Sequence, residues 1–315
     1  MAYYRPWQGT VNVRPDQRTE PGVGHRAQST SEAAGGAGPR GMSERNGTMT
    51  TTPDPRLHRA RVQAQFGGSA QAYVASRGHA SDNDLGHLVA WAREEGRAFA
   101  RALDVATGGG HTALALAPCC GQMIASDLTA GMLTAAAGFI RGRDAGNVAF
   151  AGADAERLPF ASGAFDLVAC RIAPHHFADV GAFVREVGRV LRPGGLFLLE
   201  DSIVPEEADL DEFVNTVEVL RDPTHVRSLT ASAWRGLLEG AGLAIEAELV
   251  HLKTHQFDDW VTRSRISAEE RAALERYIRD ATPATRAALA FVIADDGRII
   301  QHTDEKLLLK ARKEA

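Results

Sequence analysis

Residues 103–117 read LDVATGGGHTALALA: an apolar run, three consecutive glycines, then an alanine-rich segment. This order predicts a strand that ends on bare backbone and turns at once into a helix. The same rhythm continues downstream. Strands over Ala102–Ala106, Gln122–Ser126, Val148–Ala151, Phe165–Cys170 and the run LFLLE alternate with helices over Thr112–Leu116 and Met132–Ile140, and with Phe183, Val184, Val187, Val190 and Leu191 at helical spacing. Strict alternation needs crossover connections, so the predicted fold is α/β, with a Rossmann-like, mostly parallel sheet covered on both faces and carrying a helical cap and lid insertions.

Three regions follow from the patterning. Residues 1–54 are rich in Gly, Pro, Ser, Thr and Arg, with Tyr3, Tyr4 and Trp7 in no helical or strand period, which predicts a disordered tail. Met42 and Met49 offer alternative translation starts inside it. Residues 55–97 predict a helical cap, with helices over Arg56–Gln65 and Asp84–Glu95 around the segment FGGSAQAYVASRGH, which carries Phe66 and Tyr73. Residues 98–315 form the main domain, with a lid at about 205–230. Past Pro205 the pattern predicts a helix over Leu210–Leu220, a turn at RDPTH, a helix over Ser232–Leu238, a strand over Ile245–Leu252, a helix over Ala268–Tyr277 and a last strand at Lys306–Leu309.

Charge and cysteine usage narrow the partners. A net charge of -5 over 315 residues gives no electrostatic reason to expect nucleic acid or an anionic membrane, so a small molecule is the expected partner. Cys119, Cys120 and Cys170 cannot build a paired disulfide framework and are expected in the core of a cytoplasmic protein. No apolar run approaches the length of an integral membrane segment. The oligomeric state leaves no trace in the sequence.

In an open parallel sheet, ligands sit beyond the carboxyl ends of the strands, where the strand order reverses. Gly108, Gly109 and Gly110 fall at such an end, and without Cβ atoms they let a ligand approach the main chain. About 20 residues on, Asp127 ends the next strand, where a carboxylate accepts from ribose hydroxyls. The partner is therefore expected to be a nucleoside. GGGHTA can be read as a degenerate dinucleotide fingerprint, which favours NAD, or as part of D-x-A-x-G-x-G from Asp104. A third acid, Asp154, follows the strand NVAFAGAD and with Leu158–Phe160 is placed to bracket an adenine. Three acids after three successive strands suit a ligand with an amino acid, a ribose and an adenine better than a pyrophosphate.

The segments LDVATGGGHTA, ASDLTAGML, AGADAERLPFASGAFDLVACRIAPHHF and VGRVLRPGGLFLLED together resemble the class I S-adenosylmethionine-dependent methyltransferases. The resemblance is to the small-molecule branch that includes the ubiquinone and menaquinone biosynthesis methyltransferases. It implies an S-adenosyl-L-methionine cofactor and a small-molecule acceptor. It also implies that Asp104 and the backbone of Gly108, Gly109 and Gly110 hold the methionine part, Asp127 the ribose, and Asp154 with Ala155 the adenine. Ala106 and Leu128 join these cofactor contacts, and Arg171 lines the methionine end. Ala106 departs from the glycine common in the family. Each acid also has a structural explanation, because Asp104 could order the turn while Asp127 and Asp154 cap helical turns. An NAD-dependent oxidoreductase and a noncatalytic S-adenosylmethionine-binding protein remain the alternatives.

A sulfonium methyl is already electrophilic, so such an enzyme mainly aligns donor and acceptor and excludes water. A base helps where the acceptor is a hydroxyl or an acidic carbon. His175 and His176, after the fourth strand, are the candidate bases, with His175 favoured. Glu200 and Asp201 end the fifth strand and are expected to cap the following segment or to touch substrate. His225 and Arg227 are expected to bind substrate from the lid, and Arg221 offers a further cation for an anionic group. His175, His176 and the cysteines show no metal-ligand spacing, so no metal is expected; there is also no G-x-S-x-G elbow of a hydrolase.

Overall fold

The computed structural model describes residues 3–4, 54–67, 83–143 and 145–315. Most of the expected tail, and the stretch with Tyr73 between the first two helices, lie outside the described residues. In chain order the elements are β1 (Tyr3–Tyr4), α1 (Pro55–Gly67), α2 (Asn83–Glu94), β2 (Phe99–Val105), α3 (His111–Leu116), β3 (Cys120–Asp127), α4 (Ala130–Arg141), β4 (Val148–Gly152) and β5 (Phe165–Arg171). Then come α5 (Val180–Val190), β6 (Leu191–Val204), α6 (Ala208–Arg221), β7 (Leu229–Thr230), α7 (Ala231–Gly240) and β8 (Leu243–Gln256). The chain closes with α8 (Phe257–Ser264), α9 (Ala268–Asp280), α10 (Pro283–Arg286), β9 (Val292–Ile293) and β10 (Ile299–Lys313).

These strands make one sheet in the order β1-β8-β10-β6-β5-β2-β3-β4, with β7 on β6 and β9 on β10. The run from β4 to β6 is parallel, whereas β10 pairs antiparallel with both β6 and β8. From β2 the chain steps outward through β3 and β4, then returns to start β5 on the other side of β2. That reversal makes the carboxyl ends of β2 and β5 the topological switch point.

Period-2 alternation splits the sheet residues between two cores. Leu103, Val105, Val168, Phe197, Leu199, Leu307 and Leu309 pack with Phe183, Val184 and Val187 of α5 and Trp234 and Leu238 of α7. On the other face, Ala102, Met123, Leu167, Leu196, Leu198, Leu249 and Leu308 pack with Leu88, Trp91 and Ala92 of α2 and Ile140 of α4. A third cluster joins Phe213, Val214 and Val217 of α6 to Phe257, Trp260 and Val261 of α8 and Leu274 and Ile278 of α9. The cover beyond β6 therefore extends past 205–230 and includes α8 and α9. Cys119, Cys120 and Cys170 are free thiols, and burial pushes Cys120 up to about 12.

Backbone strain gathers at the switch point. Ala106 after β2 and Ile172 after β5 both hold left-handed φ, at 53° and 52°. A β-branched residue there is a genuine outlier, and such outliers persist where surrounding structure imposes them. In the turn, Gly108 and Gly110 have φ of 53° and 87°, but their surroundings differ. A Cβ on Gly110 would lie 2.9 Å from Ile140 Cδ1 and 3.1 Å from Ala136 Cβ, whereas one on Gly108 meets nothing within 4 Å. Gly110→Ala thus combines left-handed strain with overpacking and should cost about 2–4 kcal/mol in a urea melt. Gly108→Ala should cost only the strain, about 1–2 kcal/mol. Equal losses in the two variants would contradict this division.

Candidate active site

A cavity of about 480 Å³ opens at the switch point, on the scale of a small-molecule site. Its floor is the glycine turn. Thr107 N donates to Ser126 O at 2.8 Å, which ties the turn to β3, and Gly110 N donates to Thr107 O at 2.9 Å, which closes the turn. Asp127, at the end of β3, accepts from Gly108 N at 2.9 Å and from Thr129 N at 2.8 Å. Asp127, Leu128, Ala106, Gly108 and Gly109 line the cavity. Burial raises the Asp127 carboxyl despite those two N–H donors.

Asp104 lies underneath the turn rather than in the cavity. It is almost fully buried and accepts from Thr107 Oγ1 at 2.5 Å, and burial pushes it up to about 7. Gly110 also stays below the lining, as the residue that caps α3. Asp154 and Ala155 do line the cavity, and Asp154 Oδ2 pairs with Arg59 Nη1 of α1 at 2.8 Å. Helix α1 is fastened over the opening by further contacts. His58 Nε2 donates to His176 O at 2.7 Å, Gln63 Nε2 to Leu128 O at 3.1 Å, and Gln65 Nε2 to Ser264 O at 3.0 Å.

Three histidines converge on the far wall. The 3-10 turn Pro174–His176 follows β5 directly, and the ring centroids of His175 and His176 are 4.3 Å apart, with His225 at 5.4 Å from His175. All three line the cavity. The Asp201 carboxylate, nearly inaccessible to solvent, takes both His175 Nδ1 at 2.6 Å and His175 N at 3.0 Å. Because a carboxylate only accepts, Nδ1 is the donor in this bond, and Nε2 is the ring nitrogen outside it. His176 Nδ1 donates to Thr224 O at 3.0 Å, and His225 Nε2 to Asn215 Oδ1 at 3.1 Å. Burial, then the neighbouring His175, lowers His176 to about 4, and burial lowers His225 well below the usual imidazole range. Arg227 does not reach the cavity; its guanidinium pairs with Asp211.

Beyond the histidines the wall becomes polar. Arg171 Nε donates to Thr112 Oγ1 at 3.1 Å, and its Nη1 lies 3.4 Å from both Asp84 and Glu200. Burial raises Glu200 well above the carboxylate range, and a hydrogen bond to Asp84 holds its proton. Further along, Lys253 and His255 of β8 and Asp304 and Lys306 of β10 face the same space. Sequence reading passed over this stripe. Its signal was present as HxKxH at 251–255 and HxDxK at 302–306, polar side chains at period 2 inside long strands.

Comparison with known proteins places this geometry. The methyltransferase-domain family matches residues 103–199. Over 251 residues the chain is 35% identical to the uncharacterized methyltransferase YcgJ of Bacillus subtilis (strain 168), a match spanning 80% of this chain and 98% of that protein. It is 34% identical over 149 residues to a demethylmenaquinone methyltransferase of Mycolicibacterium vanbaalenii, covering 46% of this chain and 61% of the relative. The solved structure of YcgJ superposes with a TM-score of 0.71 at 36% identity, covering 74% of this chain and 99% of the other. A Bacillus halodurans protein described as a methyltransferase gives 0.71 at 38% identity, covering 74% and 100%. The chain belongs to the class I S-adenosylmethionine-dependent methyltransferases.

The histidine cluster has a measurable signature. With its folded pKa near 4 against 6.5 unfolded, His176 binds its proton in the unfolded chain first, so acid costs stability as the pH falls from about 6.5 towards 4. In NMR titrations the His176 ring should stay neutral from pH 8 to 5.5, and a midpoint near 6.5 would contradict the buried environment.

Proposed function

We propose that this methyltransferase moves a methyl group from S-adenosyl-L-methionine to a hydroxyl or acidic carbon of a small-molecule acceptor, with His175 as general base. The observation that carries the reading is the Asp201–His175 pair, 2.6 Å apart in the wall of the cavity that the glycine turn floors. The residues present suit the cofactor. Gly108 leaves open space where a side chain would stand, and Asp127 brings a carboxylate to the same surface. The Gly108 and Gly109 backbone would hold the methionine part, Asp127 and Leu128 the ribose, and Asp154 with Ala155 the adenine. Arg171, fixed by Thr112, Asp84 and Glu200, would border the methionine end. When bound, S-adenosylmethionine supplies an electrophilic sulfonium methyl.

The protein's own chemistry is then positioning and proton removal. Asp201 fixes the ring of His175, so that Nε2 can take a proton from the acceptor and the resulting imidazolium is stabilised by the buried carboxylate. His176, kept neutral by burial and by His175, packs against that ring and against Phe66 of α1 at 5.1 Å. Helix α1 lies across part of the opening through His58, Arg59 and Gln63, and His225 contributes an imidazole to the cavity wall. Aligning the reactants supplies most of the acceleration, and a base adds about 10² to 10⁴.

Calorimetric titration tests the cofactor assignment: S-adenosylhomocysteine should bind saturably and NAD should not. Asp127→Ala should weaken the former by about 1.5–3 kcal/mol, the value of hydrogen bonds to a charged group. Asp201→Asn should keep that affinity while lowering S-adenosylhomocysteine release from reactions supplied with deproteinised cell extract by about 10² or more, as expected for a misdirected base. Unchanged turnover in Asp201→Asn would remove His175 from the mechanism. Binding without turnover in the wild type would favour a noncatalytic binding protein.

A further inference from the structure

The polar stripe holds a cluster that methyl transfer does not use. His255 of β8 and His302 of β10 are paired directly across the antiparallel ladder, and Asp304 stands two residues along on the face that carries His302. One ligand atom from each of the three lies within 4.8 Å of the others. The two rings stack at 5.0 Å with an interplanar angle of 23°. Strand pairing therefore brings His255 to His302 and Asp304, which lie 47 and 49 residues further along the chain, so local spacing reveals only the HxD part of the set.

Satisfaction of the polar atoms is uneven. His302 is fully buried and neither ring nitrogen has a hydrogen-bond partner among the described residues. Asp304 uses Oδ2 to accept from Lys306 Nζ at 2.8 Å and from His255 Nε2 at 3.2 Å, while its buried Oδ1 has no partner. Buried polar groups are paired in the great majority of proteins, so three orphaned atoms in one cluster call for a ligand.

We propose that His255, His302 and Asp304 bind one divalent transition-metal ion in the wall of the cavity. Two imidazoles and one carboxylate suit borderline ions such as Zn²⁺, Co²⁺ or Fe²⁺ better than the oxygen-seeking Ca²⁺ or Mg²⁺. Lys306 is held on the other oxygen of Asp304 and by Ser202 Oγ at 2.6 Å, so Oδ1 is left for the ion. The nearby ammonium makes this a site of moderate affinity. His255 and Asp304 line the cavity, so the open coordination positions face it and would take an oxygen or nitrogen donor from a small molecule. This assignment does not depend on the base or the cofactor contacts assigned above.

Untagged full-length protein, stripped with a chelator and titrated with Co²⁺ alone at neutral pH, should show visible d–d absorption that saturates at about one ion per chain, and Zn²⁺ should displace it. His302→Ala and Asp304→Asn should each weaken Co²⁺ binding at least tenfold, by analogy with the loss of supporting groups around metal sites. Circular dichroism melts of both variants show whether each has folded, and Asp304→Asn keeps the shape of the side chain if His302→Ala does not fold. Absence of saturable Co²⁺ binding, or binding that both folded variants retain, overturns the proposal. Because the readout is metal alone, it succeeds or fails independently of S-adenosylhomocysteine binding.

Discussion

The site depends on one carboxylate. Asp127 ends β3, yet it accepts from the Gly108 N–H of the turn after β2 and from its own neighbour Thr129. Two adjacent parallel strands are thereby joined at their carboxyl ends, and the glycine turn is fixed in the shape that floors the cavity. Ala106 keeps a left-handed backbone in that turn, and Ile172 does so at the end of β5. Their strain is sustained by the ladder pairing of β2 with β3 and β5 beneath them. Rigidity at this point lets a shallow crevice between strand ends act as a shaped receptor.

The second organising feature is a change of chemistry along one face of the sheet. Ala169, Leu198, Leu249 and Leu308 lie in the hydrocarbon core, and two residues along each strand stand Arg171, Glu200, His251 and Lys306. Period 2 puts each pair on the same face, so the apolar layer under α2 gives way abruptly to a polar wall. The buried charges in that wall are compensated locally. Arg171 pairs with Asp84, and Lys306 with Asp304. Such compensated groups hold shape at little net gain in stability, which suits a binding surface better than a core.

The sequence carried much of this. Central strands and helices were legible because both faces of the parallel sheet are buried, so apolar runs and helical periods stand out against Gly and Pro. The ends of β8 and β10 were not. Expected as Ile245–Leu252 and Lys306–Leu309, they run from Leu243 to Gln256 and from Ile299 to Lys313. There the cavity-lining polar side chains take the places that apolar residues hold in the rest of each strand, so the apolar half of the pattern stops early. Helix α8 was hidden for a related reason: its buried Phe257, Trp260 and Val261 face other lid elements across a short span. At the site, the turn, Asp127, Asp154, His175 and His176 could be placed because each follows a strand that patterning predicts. Asp104 and Arg227 show the limit of that reasoning, since position after a strand or in a lid does not say whether a side chain enters the cavity or pairs beside it. The bond from Asp201 to His175 spans 26 residues, and only the fold brings the two together.

The glycine turn and the histidine wall line one cavity at the switch point, so the proposed function stands on where a nucleoside ligand lies between them. The most direct measurement is a crystal structure of the protein with S-adenosylhomocysteine. The account predicts both ribose hydroxyls within hydrogen-bond distance of the Asp127 carboxylate and the sulfur turned towards the His175 side of the cavity. A ribose bound away from Asp127, or a sulfur facing away from the histidines, would contradict it.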